Sequence, residues 1–105
     1  MKPRVVITRS FPQVDLSELA DYAEVWVSPL DRPLTRTELL EHVRGASAII
    51  CVLNDRIDGE VVDAAGTSLQ IVATVSAGVD HIDTLEMEQR GVVVTNTPGV
   101  LTNAT

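Results

Sequence analysis

The chain has 105 residues, 45% of them apolar and only 3% aromatic, enough for one domain whose core is mostly Val, Leu, Ile and Ala. Its formal net charge is −7. A surface this acidic repels phosphate backbones and anionic lipids, which excludes nucleic acid and membrane surfaces as expected partners. Cys51 is the single cysteine, so no intrachain disulfide and no cysteine-rich zinc site can form. Within Ala48–Leu53 it reads as a small buried hydrophobe. The opening MKPRVVITRS lacks the apolar stretch of a signal peptide, and no apolar run reaches the length of a membrane span. A soluble, cytoplasmic chain is the expectation.

In chain order, Arg4–Thr8 (RVVIT) is a short β-branched strand broken by Ser10-Phe11-Pro12. Asp15 and Glu18 have the capping-box spacing of a helix start, with Leu16, Leu19 and Ala20 on one face. Glu24–Val27 is a second strand closed by Ser28-Pro29. Thr35 and Glu38 repeat the capping box, Leu39, Leu40 and Val43 supply a helix face, and Gly45 is expected as its C′ residue. Ser47–Leu53 is a third strand. Asp58 opens a helix with Val61, Val62 and Ala65 inward, and Gly66 stops it. Leu69–Ala73 is a buried fourth strand. Asp83 and Glu86 form another cap pair, for a helix holding Leu85 and Met87 and ended by Gly91. Val92–Thr95 is the fifth strand, followed by the loop Asn96-Thr97-Pro98-Gly99 and the start of a further element from Val100. Strands alternating with helical segments specify an α/β domain with a largely parallel sheet and helices on both faces. Right-handed crossovers make the flavodoxin-like strand order 2-1-3-4-5 the simplest arrangement.

Chemistry is expected beyond the fourth strand, in Thr74–Asp83 (TVSAGVDHID). Ser76-Ala77-Gly78 are small enough to let the backbone turn sharply and stay uncovered, and Asp80 and Asp83 are suited to opening a helix. Main-chain N–H groups left unpaired at such a turn favour a carboxylate or phosphate, at the strand ends where open parallel sheets bind ligands. A plain strand-to-helix turn is the competing interpretation. No two of the six glycines have the G-x-G spacing, and Lys2 is the only lysine, so neither a dinucleotide fingerprint nor a Walker-type loop is present. His42 is expected on a solvated helix surface. His81 either fills the first turn of a helix or serves as a general base; with Asp80 and Asp83 it makes a poor metal shell. In Asn54-Asp55-Arg56, Arg56 is either a partner for a bound carboxylate or a solvent-facing charge. Asp55 as a phospho-acceptor is discounted, because Thr8-Arg9-Ser10 stands where an acidic cluster would be needed.

The segments CVLNDRID, LQIVATVSAGVDHID and RGVVVTNTPGVLTNAT resemble the N-terminal substrate domain of the D-isomer-specific 2-hydroxyacid dehydrogenases, nearest to the glyoxylate/hydroxypyruvate reductases. The likeness covers the whole chain and is densest from Ala48 to Thr105. It implies reversible hydride transfer between NAD or NADP and a small 2-keto acid. By this resemblance the Ala77 and Gly78 N–H groups, with Ser76, hold the substrate carboxylate, and Leu53 lines the substrate pocket. Val75 and Thr102 lie toward the nicotinamide end of the cofactor. The family's dinucleotide motif and its catalytic arginine, carboxylate and histidine come later in longer chains, so His81 is not the catalytic histidine. Residues 1–105 are thus expected to be a single substrate-binding domain and a fragment, inactive by itself, of a parent whose family members are commonly homodimers. A non-catalytic binding module of the same fold, corepressor-like or stand-alone, is the alternative.

Overall fold

A computed structural model describes residues 2–9, 20–30, 32–75 and 78–96. Its elements are β1 (Arg4–Ile7), β2 (Glu24–Val27), α1 (Arg36–His42), β3 (Ala48–Cys51), α2 (Gly59–Ala65), β4 (Ile71–Thr74), α3 (Thr84–Gln89) and β5 (Val93–Asn96). The helix expected from Asp15, apart from its exposed Ala20, and the element expected from Val100 lie outside the described residues.

The five strands pair in parallel in the order β2-β1-β3-β4-β5, as the alternation of strands and helices requires. Their register lines up apolar rows across the sheet. Val6 stands beside Ile49, Ile49 beside Val72, and Val72 beside Val94. Val6, Ile49 and Val72 are fully buried, in one cluster with Leu39 and Val43 of the α1 segment, Val61 and Val62 of α2 and Met87 of α3. Burying side chains of this size stabilises the fold by roughly 1.5–3 kcal/mol each. The opposite face carries a smaller cluster of Val5, Ile7 and Ala23, with Ala48 and Ile50 against it. All the core helix residues of the described segments belong to the first face.

The helix starts follow the sequence closely. Thr35 completes a full capping box with Glu38, and Asp58 caps α2 by accepting from the Val61 N–H. Asp83 caps α3 through the Glu86 N–H at 3.1 Å, but the box is only half formed. The Glu86 carboxylate turns to Arg90 instead, and the Asp83 N–H is taken by the Ile57 carbonyl. A tertiary bond has displaced the local one. Asp80 caps nothing among the described residues.

Gly45 also departs from expectation. α1 ends at His42 with Val43 as its cap, and Gly45 follows two residues later with φ +76°, its N–H donating to the Ala65 carbonyl. β3 is shorter than the apolar run that contains it. β3 stops at Cys51, so Val52 and Leu53 leave the sheet and enter a turn. Of the two apolar residues on α3, Leu85 is exposed and Met87 reaches the core.

Candidate functional site

Four buried polar or charged residues are found among those described: Thr8, Ser28, Asp55 and Thr74. Thr74 ends β4, Thr8 and Ser28 directly follow β1 and β2, and Asp55 lies four residues past β3. They all gather at the carboxyl edge of the sheet. Polar side chains are buried only where they are bonded, so this edge contains a built network.

Asp55 lies at its centre. Its Oδ2 accepts from the Thr8 hydroxyl and from the Val52 N–H at 3.0 Å. The Asp55 N–H in turn donates to the Val52 carbonyl at 3.0 Å. Beside it, the Cys51 thiol is pushed up to about 12, chiefly by burial, with the Asp55 charge adding to the effect and a Thr74 hydrogen bond opposing it. Thr74 also meets His81, whose Nε2 lies 2.8 Å from Thr74 Oγ1. The loops after β3 and β4 are joined by an isolated parallel bridge between Ile57 and Ile82. It is made by Ile57 N–H to the His81 carbonyl at 3.0 Å and Asp83 N–H to the Ile57 carbonyl at 2.8 Å. A polar hollow of about 200 Å³ lies between these loops, lined by Arg56, Asp58, Asp80 and His81 among others.

Arg36 fixes the first of these loops from α1. Its guanidinium reaches Asp58 at 2.6 Å, Glu60 at 2.7 Å and the Arg56 carbonyl at 2.9 Å. Partial burial raises the Asp58 carboxyl, but bonds from Arg36 and the Val61 N–H outweigh it and hold the group below the usual carboxylate range.

The residues singled out from the sequence fall as follows. Leu53 stands at the tip of the Val52–Asp55 turn with 64% of its surface exposed. Val75 is half-buried, and its N–H donates to the Cys51 carbonyl at 2.9 Å. Gly78 is exposed, a Cβ built on it would meet nothing within 4 Å, and it makes a polar contact of its own within the chain. Ser76, Ala77 and Thr102 lie outside the described residues. The carboxyl edge thus brings Leu53, Val75 and Gly78 onto neighbouring loops.

His81 is not a first-turn helix residue. It precedes the α3 cap, its Nε2 meets Thr74, and its Nδ1 is buried without a hydrogen-bond partner among the described residues. Arg56 faces solvent, its side chain 79% exposed. His42 is not simply solvated: its ring stacks on Trp26, centroids 4.0 Å apart and 13° from parallel. Thr8, Asp55, Thr74 and Arg36 were not reached as site residues from the sequence. The one signal there was polar residues at the ends of apolar runs.

A parallel sheet in the order β2-β1-β3-β4-β5, with buried polar side chains massed at its carboxyl edge, places this domain in the open α/β class. The chain belongs to the D-isomer specific 2-hydroxyacid dehydrogenases: the pattern of that family's catalytic domain matches residues 5–105. It is 49% identical over 105 residues to the glyoxylate reductase of Thermococcus gammatolerans, covering 100% of this chain and 31% of that enzyme. A solved structure from Thermus thermophilus superposes with a TM-score of 0.80 at 42% identity, covering 96% of this chain and 32% of that one. The NADPH-dependent glyoxylate/hydroxypyruvate reductase of Sinorhizobium meliloti, solved with NADP and malonate, gives a TM-score of 0.67 at 29% identity over 97% of this chain and 30% of its own. The chain therefore spans about a third of the length of these relatives.

Proposed function

We propose that residues 1–105 form the substrate-binding domain of an NAD- or NADP-dependent oxidoreductase that interconverts small 2-keto acids, of the glyoxylate or hydroxypyruvate type, with D-2-hydroxy acids. The observation that carries this is 49% identity to a glyoxylate reductase over the whole chain, joined to a carboxyl sheet edge that presents Leu53, Val75 and Gly78 together.

In this reading the Ala77 and Gly78 N–H groups, with Ser76, receive the substrate carboxylate, as main-chain amides at a small-residue turn do for anions. Leu53 supplies the apolar wall. Val75 and Thr102 border the nicotinamide end of the cofactor. This chain has no G-x-G pair to cradle a pyrophosphate, so its own part is to bind and orient the acid. Hydride chemistry is supplied by the dinucleotide, and the acid/base group by residues outside this chain.

The test uses the intact protein encoded by the reading frame that contains this chain. It is expected to oxidise NADH or NADPH when glyoxylate or hydroxypyruvate is added. Failure with both keto acids and both dinucleotides overturns the reading.

A further inference from the structure

We propose that Asp55 is a positioning residue: anchored by Thr8, its carboxylate holds the Val52–Asp55 turn in the shape that aims Leu53 at the substrate. The proposal rests on the reading that Leu53 lines the keto-acid pocket. It assigns a role to a side chain that the reaction itself does not use.

Among the described residues Leu53 belongs to neither apolar cluster, and it is 64% exposed, so packing against them does not hold it. Its position is set by the backbone of the turn that carries it. That turn is closed twice between the same two residues. The Asp55 N–H donates to the Val52 carbonyl at 3.0 Å, and the Val52 N–H donates to Asp55 Oδ2 at 3.0 Å. A turn closed only by its main-chain bond is free to open toward solvent; the second bond locks it. The Thr8 hydroxyl then donates to the same Oδ2 from the end of β1. The Thr8 N–H donates to the Ile50 carbonyl at 3.0 Å, which seats that hydroxyl in the sheet. The turn is thereby fastened to the most central part of the fold. Asp55 is 3% exposed, and a buried carboxylate is retained only where its bonds offset its desolvation. The side chain of neighbouring Arg56, by contrast, is 79% exposed and reaches Asp58 rather than this turn.

The test measures kcat and KM of the intact protein for the keto acid it reduces fastest, in Leu53→Ala, Asp55→Ala, Thr8→Val and the pairs with Leu53→Ala. Loss of an apolar wall weakens ground-state and transition-state binding alike. Leu53→Ala and Asp55→Ala are therefore each expected to raise KM about tenfold, with kcat within about threefold of wild type. Because both act through one contact, the double variant is expected to lie within about twofold of Leu53→Ala alone. Thr8→Val provides the same cycle if Asp55→Ala does not fold. Asp55→Asn, which keeps an acceptor oxygen, is expected to restore KM to within about threefold. A merely structural aspartate would give KM increases that multiply, to about a hundredfold in the double variant. That result, or an unchanged KM in folded Asp55→Ala and Thr8→Val, overturns the proposal alone. So does fast hydrogen exchange at the wild-type Val52 amide. A wild-type protein that reduces no keto acid overturns the functional reading, and this proposal with it.

Discussion

At its amino edge the sheet is finished chiefly by main chain, with the Ser68 hydroxyl and the Arg4 guanidinium adding bonds to the Ala46 and His42 carbonyls. Glu24 N–H donates to the Pro3 carbonyl at 2.8 Å, Ser47 to Arg4 at 2.8 Å, Gln70 to Ser47 at 2.9 Å and Val93 to Gln70 at 2.9 Å. At the carboxyl edge the ladder runs on by one residue in Ser28 to Ile7, Thr8 to Ile50 and Val75 to Cys51. Side chains then take over, with Thr8 bonded to Asp55, Thr74 to His81, and Asp55 and Ser28 to loop N–H groups. Backbone bonds are indifferent to side-chain identity, whereas a network of buried side chains is not. The contrast explains how one fold keeps a tolerant end and an exacting one. A binding edge needs irregular loops, and their polar groups must be paired by particular residues.

The contrast can be broken most sharply at Cys51. With its thiol raised from 9.0 to about 12, chiefly by burial, the native protein should hold about a thousandfold less thiolate than an ordinary cysteine. Labelling by a maleimide at pH 8 is expected only after denaturation. Rapid native labelling would mean that the carboxyl edge is open. Ile57 joins the two loops there and is fully buried; Ile57→Ala is expected to cost about 2–5 kcal/mol in urea unfolding. Thr8→Val leaves the buried Asp55 one donor short, for a loss of about 1–3 kcal/mol.

The matching change at the amino edge should do less. Ser68 donates its hydroxyl to the Ala46 carbonyl at 2.9 Å, and Ser68→Ala is expected to cost about 0.5–1.5 kcal/mol. Equal losses for Thr8→Val and Ser68→Ala would erase the distinction between the edges. The smallest effect belongs to the exposed rim. The Arg32 guanidinium, the Thr35 N–H and the Thr35 hydroxyl hold the Glu38 carboxyl at about 2, against an ordinary 4.5. A depressed folded value means that its contribution is complete above pH 4.5 and fades as the pH falls toward about 2. Arg32→Ala should bring the Glu38 titration, followed by NMR, back toward the ordinary range, with little change in stability at neutral pH.

How much of this was legible depended on distance along the chain. The Thr35 and Asp58 caps are bonds across three residues, and the glycine at the end of α2 is equally local, so pattern reading finds them. Asp83 was half legible, because Glu86 found Arg90 and the Asp83 N–H found Ile57 across the fold. His42 on Trp26, Arg36 on Asp58 and Thr8 on Asp55 join residues 16, 22 and 47 positions apart. Nothing in their immediate neighbours marks them as partners. Asp55 was met in the sequence only as a phospho-acceptor to be discounted.

The alternation of apolar runs with capped helical segments determined the parallel sheet, its strand order and the loops that lie at its carboxyl edge, because those follow from local periodicity and the handedness of crossovers. Which polar side chains close that edge, and that Leu53 leaves the sheet on a turn locked by Asp55, was decided only when β1 and β3 came side by side. Such pairs are specified by proximity in space, and a linear pattern does not carry it.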